Sequence, residues 1–236
     1  MKAKTLFILS ILAVSFNAAA LTQFKPAVLN AALLFDHNPT TGNVKHSVQS
    51  IKDEQGKLLA MTEVKYDRSG CFTNINMVDM VNGRIFHVVN KDGVLSSFEG
   101  QSITGKVNKS CEITDLENDQ GKYTLTYNVH GLLEKMVDKD TGKVATLYEY
   151  RNSQFPERIR DFNEPRDDRF FYPSGSAQFM DSELVSKSQY FTVRVKQSCT
   201  YTDEGNADKC SMISSVKDDY HGATQLWMTS HETEYF

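Results

Sequence analysis

The chain has 236 residues, with 26 Lys and Arg against 30 Asp and Glu and a formal charge of −4. A mildly acidic balance without a Lys/Arg block lacks the electrostatic footprint of a nucleic-acid binder or of a segment held on anionic lipid. The length allows one large domain or two small ones, each with a proper core.

The opening stretch, MKAKTLFILSILAVSFNAAALTQF, has the three parts of a secretory signal. Lys2 and Lys4 form its basic region, Leu6 to Phe16 an eleven-residue apolar run, and Ala18, Ala19 and Ala20 supply the small residues a signal peptidase reads. Cleavage is expected after Ala20, which leaves 216 residues with a charge of −6, because two lysines depart with the signal. The apolar run is shorter than the roughly 20 residues a bilayer-spanning helix needs. The first cysteine is Cys71, so no cysteine stands at the cleavage point to carry a lipid. The expected product is soluble, in the periplasm or secreted, with no stable membrane anchor.

FKPAVLNAALLFD, residues 24 to 36, has the only helical character in the mature chain, with Pro26 near its start and Asp36 at its end. Beyond it, Asp or Asn followed three residues later by Gly recurs: Asp53/Gly56, Asp67/Gly70, Asn90/Gly93, Asn118/Gly121, Asn128/Gly131 and Asp219/Gly222. Gly83, Gly105, Gly142 and Gly205 mark further turns. A short Asx side chain bonds the turn's backbone and Gly supplies the positive φ, so these positions predict hairpins. Between them the side chains alternate as in half-buried strands. Tyr123, Leu125 and Tyr127 oppose Thr124 and Thr126, while Phe191, Val193 and Val195 oppose Thr192, Arg194 and Lys196.

Four cysteines in an exported chain predict disulfides. A hairpin turning at Glu204-Gly205 sets Cys199 opposite Cys210, since each lies five residues from the turn pair, and leaves Cys71 with Cys111. Counting by twos from Val195 places Cys199 on the apolar face, which predicts a shielded, structural bridge. No Cys-x-x-Cys pair and no histidine at finger spacing points to zinc.

PERIRDFNEPRDDRFFYPSGSAQF, residues 156 to 179, holds three of the five prolines and a dense mix of charge, and it predicts a long irregular connection. Its bland reading is a solvated, self-neutralising loop. Its functional reading is a recognition surface, with Arg158, Arg160, Arg166 and Arg169 as forks for carboxylate or phosphate and Phe170, Phe171 and Tyr172 as rings. Other candidates are thinner. Asp138, Asp140 and Glu149 fall at positions 1, 3 and 12 of a calcium loop, but Gly142 stands at position 5 where 6 is required. The six histidines, His37, His46, His87, His130, His221 and His231, show no ligand spacing, and YPSGSA is not a nucleophile elbow. Asp167/Asp168 and Asp218/Asp219 are adjacent acids, which on a strand point to opposite faces. No cofactor and no metal is implied. A membrane-spanning barrel is disfavoured because Glu232 and Glu234 share a strand face with Phe236.

FDHNPTTGNVKHSVQSIKDEQGK, GCF at 70 to 72, KSCEI at 109 to 113 and VKQSCTYTDEGNADKCSMI resemble the YnfC-like family of uncharacterised enterobacterial envelope lipoproteins. The likeness runs from about Phe35 to the C-terminus. It implies no activity, cofactor or catalytic residue. It departs at the N-terminus, where family members are expected to be lipidated on a cysteine. YTLTYNVHG followed by LYEYRNSQ separately resembles the tyrosine-and-aspartate repeats of bacterial surface and toxin shells. The expectation is therefore a single all-β domain over 21 to 236, an antiparallel meander of hairpins forming a large twisted sheet stapled by two disulfides. Its role is expected to be non-catalytic binding or structural interaction with an envelope protein or glycan, and not with nucleic acid. The alternative is an enzyme of unassigned class acting on an envelope polymer.

Overall fold

The computed structural model describes residues 24–151, 155–173, 180–217 and 222–236. The signal-like stretch 1–20, the Asp218/Asp219 pair and His221 lie outside the described residues. Among those described, the chain forms one helix, α1 (Pro26–Leu34), and sixteen strands. The first five are β1 (Val44–Asp53), β2 (Leu58–Tyr66), β3 (Phe72–Asp79), β4 (Arg84–Lys91) and β5 (Val94–Gly100). Then come β6 (Thr104–Val107), β7 (Ile113–Asn118), β8 (Gly121–Tyr127), β9 (Leu133–Asp138) and β10 (Val144–Arg151). The last six are β11 (Phe155–Asp161), β12 (Arg166–Phe171), β13 (Ser182–Ser188), β14 (Thr192–Tyr201), β15 (Ala207–Lys217) and β16 (Gly222–Tyr235).

Each strand pairs antiparallel with the next, and β16 returns to β1 from Val44↔Tyr235 to Asp53↔Trp227. The expected all-β meander is present, and its sheet is closed into a barrel, so the free edges of an open sheet are gone. Because consecutive turns of an antiparallel meander alternate ends, the two mouths are distinct. Turns after β2, β6, β8 and β14 lie at a proximal mouth, where the chain comes in ahead of α1; turns after β1, β3, β11 and β13 lie at the distal mouth.

One turn chemistry recurs. In the turns led by Asp53, Asp67 and Asn128, the Asx Oδ1 accepts from the backbone N–H two and four residues on, and the glycine N–H three residues on donates to the Asx carbonyl. Asn108 makes the same three bonds, with Cys111 in the glycine position at a φ of +65°. Gly105, expected at a turn, lies within β6, where an added Cβ would stand 2.3 Å from the Asp115 carbonyl oxygen.

Where an irregular connection is expected over 156–179, residues 156–161 and 166–171 are instead strand, in β11 and β12, joined by a short turn. Pro156 is tolerated because it faces Tyr150 at the register shift after Glu149, and Pro165 falls in the turn. Residues 174–179 lie outside the described residues. Both disulfides form as paired from the sequence, Cys71 with Cys111 at a Cα separation of 5.4 Å and Cys199 with Cys210 at 4.0 Å. The first ties the β2–β3 and β6–β7 turns together at the proximal mouth. In the second, Cys210 is fully buried.

A sixteen-stranded barrel is too wide for its own side chains to fill; barrels of that size in membranes enclose a channel. Here α1 enters the lumen. PAVLNAALL is apolar nearly all round, and the consecutive residues Val28 to Ala32 are all buried, as happens only when a helix is surrounded. Phe35, just beyond it, packs edge-on against Phe72 and tilted against Phe86, at centroid distances of 5.6 and 6.0 Å.

Candidate functional site

The outer wall is polar and internally neutralised. Lys45 pairs with Glu234 at 2.6 Å across the β1–β16 seam, and His46 and Lys65 reach Glu63 at 2.9 and 3.2 Å. Further round, Arg160 meets Glu149 at 2.5 Å, Arg158 and Arg169 share Asp167 at 2.6 and 3.2 Å, and Arg194 meets Glu183 at 2.5 Å. Lys139 also pairs with Asp115, and Lys122 with Glu117 at 3.2 Å. On β2, β7, β10 and β11 these residues alternate with Val64, Leu116, Tyr148 and Ile159, which enter the core, so the charges face out. Register carries the same outer face across to Arg194.

The lumen has two unlike walls. From β2 to β10 the inward side chains, among them Val64, Ile75, Val88, Leu116, Leu125 and Leu133, form one buried cluster with Val28 and Ala31 of α1. Asn30 positions the helix: its Nδ2 donates to the Gly131 carbonyl at 2.8 Å, and its Oδ1 accepts from the Leu133 N–H at 2.9 Å. Arg84 joins the far end of this segment to the wall by reaching both Asp36, at 3.1 Å, and Asp79, at 3.2 Å. Burial pushes the Asp79 carboxyl up, but the bonds from Asn82, Arg84 and Val81 outweigh it and hold the group below the usual carboxylate range.

From β11 to β15 the inward face lies beyond the helix. Register sets Phe170, Leu184 and Val195 in one row across β12, β13 and β14, all half-buried, with Ile159, Val193 and Met212 on the same face. Within this wall Asp168 is 9% exposed, and its Oδ2 meets Arg166 Nε at 3.2 Å. Burial pushes the Asp168 carboxyl up, against the opposing pull of Ser186 and Arg166.

A third feature lines the seam. His37 and Asn38, returning from α1, close a small cavity against Gln49, Thr62 and His231, with room for about one water molecule. Asn38 N–H donates to Gln49 Oε1 at 2.7 Å, and its Nδ2 lies 2.7 Å from His231 Nε2. His37 is 8% exposed, and neither ring nitrogen makes a hydrogen bond of normal geometry. Burial lowers its pKa to about 4, despite Asp36 and the Phe35 carbonyl nearby, and burial also lowers that of His231. Thr41 and Asn206 fasten the same segment, through a 2.6 Å bond from the Thr41 N–H to Asn206 Oδ1.

The residues singled out between 158 and 172 do not converge on one surface. Arg158, Arg160 and Arg169 lie on the outer wall with their guanidinium groups on carboxylates, and Arg160 also lies 5.9 Å from the Phe162 ring. Arg166 and Phe170 face the lumen, and Phe171 is exposed on the outer wall. The Tyr172 hydroxyl donates to the Pro156 carbonyl at 2.7 Å, and its ring lies 5.4 Å from that of Phe155. Asp167 and Asp168 face opposite sides of the wall. Asn30 and Asn206 carry no local sequence signal, because their partners lie more than 100 residues away in the chain. Among the described residues no group of three or more His, Cys, Asp or Glu is disposed to hold a metal.

The model of an uncharacterised protein family, UPF0257, matches residues 1–236. The UPF0257 lipoprotein YnfC of Escherichia coli O81 (strain ED1a) is 23% identical over 200 residues, covering 81% of this chain and 80% of that protein. Its counterpart in Escherichia coli K12 (strain DH10B) is 22% identical over the same shares. Among solved structures, a porin-like protein from Bacteroides uniformis superposes with a TM-score of 0.56 at 15% identity, covering 83% of this chain and 99% of that one. That likeness is one of fold. With the resemblance read around the four cysteines and a family match over the whole length, the chain belongs to the uncharacterised protein family UPF0257.

Proposed function

We propose that this chain is an exported, non-catalytic binding module of the bacterial envelope that takes its ligand in the lumen, against β11 to β15. One observation carries the reading: the row Phe170, Leu184 and Val195 is apolar, inward-facing and still reached by solvent, while the opposite wall is sealed under α1. The naming of relatives as lipoproteins supports an envelope setting, and the signal-like opening supports export to the periplasm or beyond. The ion-paired outer wall supports immersion of the barrel in water, since a membrane-spanning barrel needs an apolar band about 25 Å tall and pays about 2–4 kcal/mol for Arg or Lys at the midplane. An envelope protein segment or a glycan fits as partner if it is narrow enough to enter a mouth and brings an apolar portion to the row.

A second reading, an enzyme acting on an envelope polymer, draws on Asp168, a lumenal carboxyl with its pKa raised by burial. Its sequence neighbour Asp167 points outward, so the adjacent acids do not form a two-carboxylate site.

Capture from envelope extract with the mature protein as bait tests the proposal. Leu184→Glu and Val195→Glu, on the lumenal face, should abolish capture, and Lys196→Glu, on the outer face of the same strand, should leave it unchanged. Equal effects from the two faces would remove the lumen as the site.

A further inference from the structure

The segment that returns from α1 to β1 is fixed at both ends. At the first, Phe35 packs against Phe72 and Phe86, and Arg84 holds Asp36. At the second, the Thr41 N–H donates to Asn206, whose Nδ2 donates back to the Thr41 carbonyl at 3.1 Å, and the Phe236 N–H donates to the Asn43 carbonyl. Between these points the chain lies along the inner face of the β1–β16 seam, where Asn38 meets Gln49 of β1 and His231 of β16. Asp36 turns the chain back with a φ of +55°, a left-handed conformation that strains any residue with a Cβ.

Two histidines line the cavity under this stretch, His37 from the segment and His231 from β16. Neither His37 nitrogen makes a hydrogen bond of normal geometry, and neither does His231 Nδ1. No residue lining the cavity is Asp, Glu, Lys or Arg. The nearest acids are Asp36, whose exposed carboxylate is taken by Arg84, and Asp208 beside His231. From β1, β2 and β16, Lys45, His46, Glu63, Lys65 and Glu234 pair with one another on the outer wall, and Glu232 is exposed there. On the inner side Tyr66 is a buried phenol with its pKa raised to about 12, and the Tyr235 hydroxyl accepts from Asn206. A proton on either cavity histidine therefore has no carboxylate within the lining, and space for about one water does not hydrate it. The least disruptive relief is local: with Phe35 and Thr41 fixed, residues 36 to 40 swing off the seam, breaking the two contacts of Asn38 and leaving the β1–β16 ladder paired.

We infer that residues 36 to 40 are a proton-operated strap: neutral His37 and His231 hold it against the seam, and acid releases it into the lumen, baring the inner face around Gln49, Thr62 and His231. The strap belongs to the fold and operates whatever the lumen binds.

Amide hydrogen exchange at the Asn38 N–H, corrected for the intrinsic effect of pH, reads the strap in the wild-type protein. The His37 pKa is lowered by burial to about 4 with the strap closed and returns to about 6.5 when it opens, so closure is complete above the second value and is lost as pH falls toward the first. Protection at Asn38 should fall about thirtyfold from pH 8 to pH 5 through this group alone. Low urea separates the strap from unfolding of the whole chain: exchange at Asn38 should be nearly indifferent to it, whereas the slowest amides of β14 and β15 should lose protection steeply. His37→Gln, which does not take up the proton, should hold Asn38 protection level across the same pH range, and the wild-type measurements stand whether or not this variant folds. The inference fails if Asn38 protection in wild type does not change with pH, if it shares the urea dependence of β14 and β15, or if His37→Gln keeps the wild-type slope.

Discussion

From β2 to β10 the inner face of the barrel is a packed core, with Ile75, Val88 and Leu133 sealed under α1, whereas from β11 to β15 the same face carries Leu184 and Val195 within reach of solvent. Both stretches alternate in the same way and belong to one continuous meander. What separates them is the width of a single helix, about 10–12 Å with its side chains, set against a ring of sixteen strands. Closing the ring and filling it are thus separate problems. Backbone pairing solves the first, and a few polar fastenings, above all Asn30, decide which wall the helix leans on.

The largest effect that sharpens this contrast comes from truncation on the two walls. Leu133→Ala on the packed side should lower the unfolding free energy in urea by about 2–5 kcal/mol, and Val195→Ala across the lumen by about 1 kcal/mol or less. Equal losses would break the comparison. Next comes pH. With its folded pKa lowered to about 4, His37 binds a proton less readily folded than unfolded. Stability should therefore be complete above the ordinary histidine pKa near 6.5 and decline as pH falls toward 4, by about 3 kcal/mol from this group. His37→Leu should flatten that part of the profile, and an unchanged slope would show that the returning segment does not bury a neutral imidazole.

Asn30→Ala removes both partners of the Gly131 carbonyl and Leu133 N–H and should cost about 1–3 kcal/mol. It should also raise hydrogen exchange at Leu133 before it affects β13 or β14. A smaller effect concerns the proximal rim, where Cys111 holds a φ of +65°. With the bridge removed, Cys71→Ala with Cys111→Gly should be more stable than Cys71→Ala with Cys111→Ala by about 1 kcal/mol. The smallest contrast lies within β12. Arg169→Ala, on the outer face, should stay within about 0.5 kcal/mol of wild type. Arg166→Ala, on the lumenal face, should push the Asp168 titration further up, as followed by carbon-13 NMR of the carboxyl.

The hairpins were legible because their chemistry is local. An Asx side chain and a glycine three residues on specify a turn without reference to the rest of the chain, and Tyr123, Leu125 and Tyr127 face inward as their alternation indicates. The same chemistry at Asn108 escaped notice because Cys111 stands where the pattern requires glycine, its left-handed backbone accompanied by the bridge to Cys71. Pro156 and Pro165 gave β11 and β12 the look of a loop, since the bulge that accommodates the first is set by the neighbouring strand and not by its own sequence. The arginines looked available for the same reason. Asp167 and Glu149 neutralise Arg158 and Arg160 across strand pairs, which depends on register, and Asp167 also reaches Arg169 two residues along its own strand. Asn206 serves Thr41 from 165 residues away, a contact that no window on the sequence contains.

The pairing of β1 with β16, finished by the bond from the Phe236 N–H to the Asn43 carbonyl at 3.0 Å, joins nearly the whole length of the chain. Every other strand pair is between sequence neighbours and can form soon after its hairpin emerges. The order of assembly follows: a sheet that grows one hairpin at a time, with β1 exposed as an open edge until the last fourteen-residue strand arrives. A chain that stops short of β16 presents two bare edges, β1 and β15, and each is a template for another molecule's strand. The C-terminal strand thus closes the edges through which one copy of the chain could add a strand to another.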